Sequence, residues 1–189
     1  MPLSFSMIKL KHIQHIYFIV IGILVLFAFS KLYTPNVTEY LQNRNVNIHY
    51  QMVQKEVKLQ FIRQVNCMAQ NIYYEARGET YQGKLAVTQV VLNRVRSGLF
   101  PDSVCGVVYQ RNNNGCQFSW VCQKHNKPID HYEWQESVEI ARRALTEQVV
   151  YAKLAKTDAL YYHANYVSPD WANSMKVVAV IGKHIFYRP

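Results

Sequence analysis

The sequence predicts an α+β fold in which helices come first and a small antiparallel sheet closes the C-terminal end. Three observations support this: apolar residues recur with helical spacing, short strand-like stretches follow them, and one nearly unbroken apolar run precedes both. The helical patterns lie at 65–76, 85–96 and 132–155, the strand-like stretches at 159–163, 176–181 and 184–187, and the apolar run at 13–29. The chain has 189 residues, half of them hydrophobic, which suffices for one folded domain behind that run.

The apolar run at 13–29 predicts an N-terminal transmembrane helix. Lys9 and Lys11 precede it and Lys31 follows it. Its strictly apolar part is shorter than the roughly 20 residues of a comfortable membrane span, yet longer than many signal-peptide cores. Residues 28–30 (AFS) resemble a small-x-small cleavage site, so a cleaved signal peptide remains the alternative. We favour an uncleaved anchor that places everything after Lys31 outside the cytoplasm, on the periplasmic side.

Composition divides the chain into three parts: a membrane segment at 1–31, a polar stalk at 32–60 and a folded domain at 61–189. The stalk is rich in Asn and Gln and poor in periodicity. The net charge is +9, and setting aside the three lysines that flank the apolar run leaves +6. This excess suits an anionic polymer or a membrane surface. No dense basic stripe occurs, so we expect no nucleic-acid partner.

The four cysteines, Cys67, Cys105, Cys116 and Cys122, are an even number in a chain predicted to be exported. They predict two disulfides, for which three pairings are possible. We favour Cys105 with Cys116, which closes a short loop, and Cys67 with Cys122, which ties that loop to the first helix. Their spacing fits no zinc pattern, so we expect no metal and no cofactor.

Residues 71–79, NIYYEARGE, hold the candidate catalytic acid. Glu75 falls at the edge of the buried stripe of the first helix, and Glu79 follows four residues later. Gly78 is the residue expected just past a helix end, so this helix should stop near Arg77. A carboxyl group partly in apolar surroundings has a raised pKa and can act as a general acid near neutral pH. The alternative is an ordinary surface glutamate.

The remaining elements frame this segment. The helix at 85–96 has little polar face and should be buried, and Gly98 closes it, while 102–103 can cap a short helix. A long loop at 110–127 follows, and its residues 117–120 (QFSW) combine an amide, a hydroxyl and two aromatic faces, which suits sugar rings. The alternative is that both aromatic rings simply cover the core.

These parts resemble the SleB-like cell-wall hydrolase family, which includes spore cortex-lytic enzymes. Several separated motifs carry the resemblance in one order: NIYYEARGE, AVTQVVLNRV (86–95), FPDSVCGVVYQ (100–110), CQFSW (116–120), LYYHANYVSPDW (160–171) and GKHIFYR (182–188). The resemblance implies a lysozyme-like domain that cuts the β-1,4 bond between N-acetylmuramic acid and N-acetylglucosamine in peptidoglycan. It also maps the essential acid onto Glu75.

The resemblance points to a lytic transglycosylase, in which one glutamate gives a 1,6-anhydro product. Two alternatives remain: a muramidase that also uses Glu79 as a second carboxylate, and a non-catalytic membrane-tethered protein that binds peptidoglycan. We expect a monomer. The residues we expect to bind substrate are Tyr74, Glu79, Asn93, Gln117, Ser119, Trp120, Tyr162 and His163; for His163 a purely structural role is the equal alternative.

Overall fold

The computed structural model describes residues 4–33, 37–113, 115–123 and 127–189. The chain divides into two compact units, Met1–Lys55 and Glu56–Pro189. The candidate catalytic acid lies in the second unit.

The first unit contains helix α1 (Ser4–Tyr33) and the beginning of helix α2 (Val37–Ala76). Within α1, Gln14–Lys31 has a mean hydropathy of 1.7 and none of it is buried. It is long and apolar enough to cross a membrane or to serve as a signal sequence. The segment expected to be a stalk is helical from Val37 onward. From that residue on, its sequence contains neither glycine nor proline, so nothing in it ends a helix.

The second unit is mainly helical. The end of α2 is followed by α3 (Tyr81–Ser97), α4 (Val104–Val108), α5 (His131–Thr146) and α6 (Gln148–Ala155), with short 3₁₀ turns at Ser119–Cys122 and Asp170–Ser174. The predicted helix ends are confirmed. Gly78 has a φ of +77° just after α2, Gly98 caps α3 at a φ of +70°, and the Ser103 hydroxyl accepts the Gly106 N–H at the start of α4.

Helix α3 is the centre of the domain, as its apolar sequence predicts. One side packs with α2, α4, α5 and α6 in a core that includes Leu85, Val91 and Leu92. The other side presents Ala86, Val87 and Val90 to the sheet and contacts Phe186 there. Because both sides are covered, α3 fixes the position of the helices relative to the sheet.

The single helix predicted over 132–155 is wrong, because the chain breaks at Glu147 into α5 and α6. Glu147 has a φ of −119° and a ψ of 42°, and its N–H still donates to the Arg143 carbonyl at 2.7 Å. The new direction buries Tyr151 and Ala155 in the core. No glycine or proline marks the break, so helical periodicity continues through it in the sequence.

The predicted C-terminal sheet is confirmed. It consists of β3 (Tyr161–Ala164), β4 (Lys176–Ile181) and β5 (His184–Arg188) in the antiparallel order β3-β5-β4, so that β3 is an edge strand. Residues Tyr162 and Phe186 are directly paired. Earlier in the chain, the long loop contains a small hairpin of β1 (Arg111–Asn112) and β2 (Gly115–Cys116).

Two disulfides form, as predicted, but the preferred pairing was wrong. Cys67 on α2 bonds Cys105 on α4, with their Cα atoms 5.2 Å apart, and Cys116 bonds Cys122 at 5.8 Å. The short helix α4 lies against α2, where the N–H of Cys105 also donates to the Gln64 side chain at 3.0 Å. This packing brings Cys105 to Cys67 and leaves the loop to close on itself.

Candidate active site

Glu75 lies in the last turn of α2, where the helix ends one residue later. It is half-buried, while its helical neighbours Ile72 and Ala76 are fully buried. The C-terminal end of a helix carries partial negative charge, which disfavours an ionised carboxylate there. The position alone therefore favours a protonated side chain.

Tyr162 on β3 is the hydrogen-bond partner of this acid. Its hydroxyl donates to Oε2 of Glu75 at 3.0 Å. Its ring contacts the ring of His184, which it meets edge-on at 5.2 Å, and the ring of Phe186 at 5.6 Å. Burial, and then the charge of Glu75, raise the pKa of Tyr162 well above its usual range, so the hydroxyl keeps its proton and acts as a donor.

The pKa of Glu75 is raised above its usual value. Burial is the largest cause, and the hydrogen bond from Tyr162 and the positive charge of Arg94 oppose it. Among the residues that the structure describes, Tyr162 is the one hydrogen-bond partner of this carboxyl group, so Oε1 remains available to a ligand. The site can therefore hold a proton on one oxygen and has a donor in place for the other.

Sequence reasoning missed Arg94 on α3, whose positive charge lowers the pKa of Glu75. It is 3% exposed, and its Nε donates to the Leu160 carbonyl at 2.7 Å. Its guanidinium lies over the rings of Phe100, Phe118 and Tyr161 at 4.9, 5.4 and 5.6 Å. The signal that could have found it is a lone arginine on the apolar face of a helix expected to be buried.

Tyr74 and Trp120 come together on another side of α2. Their rings stack at 4.7 Å, and Tyr109 meets Trp120 edge-on at 5.9 Å, while its hydroxyl donates to the Gln70 side chain. A cavity of about 310 Å³ lies beside them, lined by Gln70, Tyr74, Tyr109, Trp120, Val121, Lys127 and Pro128. Glu75 does not line this cavity, although it is the next residue after Tyr74.

The loop residues predicted to bind substrate differ in how exposed they are. Ser119 is exposed at the start of a 3₁₀ turn, and Gln117 is half-buried, with its backbone N–H donating to the Gln110 carbonyl at 2.9 Å. Trp120 and Phe118 are buried, and Phe118 packs in the core near Arg94. The expectation that Phe118 covers the core agrees with this position.

Asn93 and His163 are both engaged by the fold. The Asn93 amide donates to the Ala159 carbonyl at 2.9 Å and accepts from Gln89 at 2.7 Å. His163 is next to Tyr162 on β3, so it faces the opposite side of the sheet, where its Nε2 lies 2.8 Å from the Tyr187 hydroxyl. Strand alternation therefore separates His163 from the acid.

Glu79 lies in the turn between α2 and α3, with its side chain 7% exposed. Its Oε2 accepts the backbone N–H of Lys183 at 3.2 Å. Across the described ranges, no group of three or more His, Cys, Asp or Glu side chains is placed to hold a metal ion. The hydrogen-bonded pair of Glu75 and Tyr162 offers acid–base chemistry by one carboxyl group.

The sequence is similar to that of known cell wall hydrolases. Residues 78–187 match the cell wall hydrolase family. Over 122 residues, which is 65% of this chain, the sequence is 33% identical to the spore cortex-lytic enzyme of Oceanobacillus iheyensis and 31% identical to that of Bacillus subtilis. The matched region spans 40% and 36% of those relatives, so the similarity covers less than half of their length.

A solved structure has the same fold. The catalytic domain of the germination-specific lytic transglycosylase SleB from Bacillus anthracis superimposes with a TM-score of 0.50 at 29% sequence identity. The match covers 66% of this chain and 93% of that domain. The observed combination of helices with a small antiparallel sheet is therefore that of the SleB catalytic domain.

Proposed function

Because this chain belongs to the SleB-like cell wall hydrolase family, we propose that it cuts the glycan strands of peptidoglycan with Glu75 as its acid. The bond cut is the β-1,4 link between N-acetylmuramic acid and N-acetylglucosamine. One observation carries the proposal: the half-buried Glu75 carboxyl at the end of α2 accepts a hydrogen bond from Tyr162 and has a raised pKa. A raised pKa shifts the carboxyl group toward the protonated form that a general acid needs.

The reaction we propose is lytic transglycosylation. Protonated Glu75 donates to the glycosidic oxygen as the bond from that oxygen to C1 of the muramic acid breaks. The resulting carboxylate then takes the proton of the muramic acid 6-hydroxyl as O6 bonds to C1, which closes a 1,6-anhydro ring and restores the acid. An internal hydroxyl competes well with water because it is already held near the reacting carbon.

Tyr162 and Arg94 support the ionised half of this cycle. Once Glu75 has given up its proton, the Tyr162 hydroxyl and the Arg94 charge both stabilise the carboxylate. Burial acts in the opposite direction and favours the protonated form. The balance lets one group serve first as acid and then as base.

A mechanism with two carboxylates has less support. It would require Glu79 to reach the sugar, roughly 5 to 9.5 Å from the acid across the scissile bond. The Glu79 carboxylate is instead 7% exposed and accepts a backbone hydrogen bond from the β4–β5 turn. The geometry thus favours a single catalytic carboxyl group.

We also propose that α1 anchors the enzyme in the membrane with the domain on the periplasmic side. The basic residues Lys9 and Lys11 ahead of the apolar helix favour a cytoplasmic N-terminus. Two disulfides suit the oxidising compartment beyond the membrane. The expected monomer can be checked by light scattering of the detergent-solubilised chain.

The test is product analysis on purified sacculi with the full-length protein in detergent. The wild type should release 1,6-anhydro muropeptides, and Glu75→Gln should release none while keeping its circular dichroism spectrum. Glu139→Gln, which changes an exposed glutamate on α5, is the matched control and should be fully active. Products heavier by one water would indicate a muramidase, and binding to sacculi without release of fragments would indicate a non-catalytic protein.

A further inference from the structure

Glu79 holds the tip of the β4–β5 hairpin although the two segments are far apart in sequence. Its Oε2 accepts the Lys183 N–H at 3.2 Å, and its Oε1 lies 4.0 Å from Nδ1 of His184. The side chain is 7% exposed, so the hairpin covers most of it, and the Lys183 N–H donates a hydrogen bond to its carboxylate. The turn that follows the catalytic helix is therefore fixed directly to the sheet.

Two glycines leave room for this carboxylate. A Cβ atom at Gly182 would overlap Oε2 of Glu79, and one at Gly83 would lie 3.1 Å from the same oxygen. Gly182 also has a φ of +59°, where residues with a side chain are strained. The hairpin approaches Glu79 so closely that any larger residue at Gly182 would displace the carboxylate.

His184 connects this anchor to the active site. Its ring meets the Tyr162 ring edge-on at 5.2 Å, with an interplanar angle of 87°. The Tyr162 hydroxyl in turn donates to Glu75. Glu79, His184 and Tyr162 are therefore successive neighbours that lead to the acid.

The surroundings of His184 shift its pKa in opposing directions. Burial is the largest influence on the pKa of His184 and lowers it, and the neighbouring His163 and Lys183 side chains lower it further. Glu79 is the group that raises it. The contact with Tyr162 is thus made by an imidazole whose surroundings favour the neutral form, and Glu79 is the negative charge facing it.

We propose that Glu79 is a positioning residue for the glycan-cleaving reaction: by anchoring Lys183 and His184 it holds Tyr162 in hydrogen-bond reach of Glu75. This inference rests on the proposed function of Glu75. It gives the second acid of the EARGE segment a role without contact to the substrate. Glu79 acts on the proton of the first acid through two intervening side chains.

The test compares Glu79→Gln, Tyr162→Phe and the double variant as full-length proteins in detergent, acting on soluble uncrosslinked glycan strands. Glu79→Gln should lower kcat by about three- to tenfold, as expected for weakening one hydrogen bond in the transition state, and leave KM nearly unchanged. The basic limb of its pH–rate profile should move to higher pH, in the same direction as that of Tyr162→Phe. The double variant should be no slower than Tyr162→Phe alone, because both changes remove one interaction.

A pair of glycine variants separates displacement of Glu79 from backbone strain. Gly182→Ala should reproduce the pH shift of Glu79→Gln, because the added methyl group displaces the carboxylate. Gly98→Ala adds the same methyl group at a similar φ of +70° with no atom within 4 Å. It should lower the melting temperature and leave the pH profile unchanged.

Losses that multiply in the double variant would overturn the inference, as would a Glu79→Gln enzyme with a lowered melting temperature and an unshifted pH profile. If Glu79→Gln does not fold, the Gly182→Ala and Gly98→Ala pair decides the question by the same profile. Glu75→Gln is measured alongside. Activity in that variant would reject the proposed function itself, whereas an inactive Glu75→Gln with additive Glu79 effects rejects only the positioning role.

Discussion

Replacing Tyr162 by phenylalanine tests how the acid is held. The change removes the hydroxyl that donates to Oε2 of Glu75 at 3.0 Å and keeps the ring against His184 and Phe186. The bond stabilises the ionised form of Glu75, so its loss raises the pKa of the carboxyl group further. The variant should remain protonated, and therefore able to act as an acid, to higher pH than the wild type.

The size of the effect follows from the kind of bond that is lost. A hydrogen bond to a charged group contributes about 1.5 to 3 kcal/mol of stabilisation. The Glu75 carboxyl that accepts this bond carries its negative charge only after it has donated its proton. Losing it from the transition state that forms the carboxylate corresponds to a decrease in kcat of about 10- to 100-fold. Binding of the glycan strand should be affected much less, because Tyr162 donates to the acid.

The assay is the initial rate of release of anhydro products across a pH series, with products identified by mass spectrometry. Tyr166→Phe is the matched control, since Tyr166 lies just after the same strand and is 81% exposed. The control should have the wild-type profile. A Tyr162→Phe enzyme with an unshifted basic limb, or with a limb moved to lower pH, would refute the assignment of Tyr162 as the donor to Glu75.

Three further predictions concern stability. Lys84 is 2% exposed and contacts Glu133 at 2.6 Å and Glu136 at 2.5 Å. In urea denaturation, Glu136→Gln should lower the free energy of unfolding by about 1 kcal/mol. Changing both glutamates to glutamine leaves the buried lysine unpaired and should lower it by about 3 to 5 kcal/mol. Equal, additive losses would contradict this. Removing the Cys67–Cys105 disulfide, which closes a loop of 38 residues, should lower the free energy of unfolding by about 4 kcal/mol. Removing Cys116–Cys122, which closes a loop of six, should lower it by about 2 kcal/mol. The reverse order would contradict the chain-entropy argument. The pKa of Glu75 is raised in the folded protein, so its ionisation opposes folding at high pH and has no effect below its unfolded pKa of about 4.3. Glu75→Gln should therefore have a higher melting temperature than the wild type at pH 8 and the same melting temperature at pH 3.

The sequence predicted the helix ends and the buried helix faces, which depend on residues close together in the chain. Gly78, Gly98 and Ser103 mark helix ends because their backbone freedom or capping hydroxyl acts within a few residues. The apolar pattern likewise predicted that α3 is buried and that Glu75 lies at the edge of a buried stripe. The position of Glu75 and the strand that carries its hydrogen-bond partner could thus be located from the order of residues alone.

What sequence could not predict depends on contacts between distant segments. The pairing of Cys67 with Cys105 requires α4 to lie against α2, and the fixed position of Glu79 requires a hairpin 104 residues later. The break at Glu147 serves to bury Tyr151, which no local signal reports. Each of these features is decided by tertiary packing and overrides or supplements the local pattern.

The pleat of β3 makes catalytic competence depend on strand register. Side chains alternate across this edge strand, so a slip of one residue along β5 would turn the Tyr162 phenol away from the carboxyl group and bring either His163 or Tyr161 to its place, depending on the direction of the slip. Such a misfolded molecule could retain its helices, its disulfides and its solubility. Turnover would therefore report on the fidelity of sheet assembly where circular dichroism cannot, and a preparation with native helix content but low specific activity would point to mispaired strands.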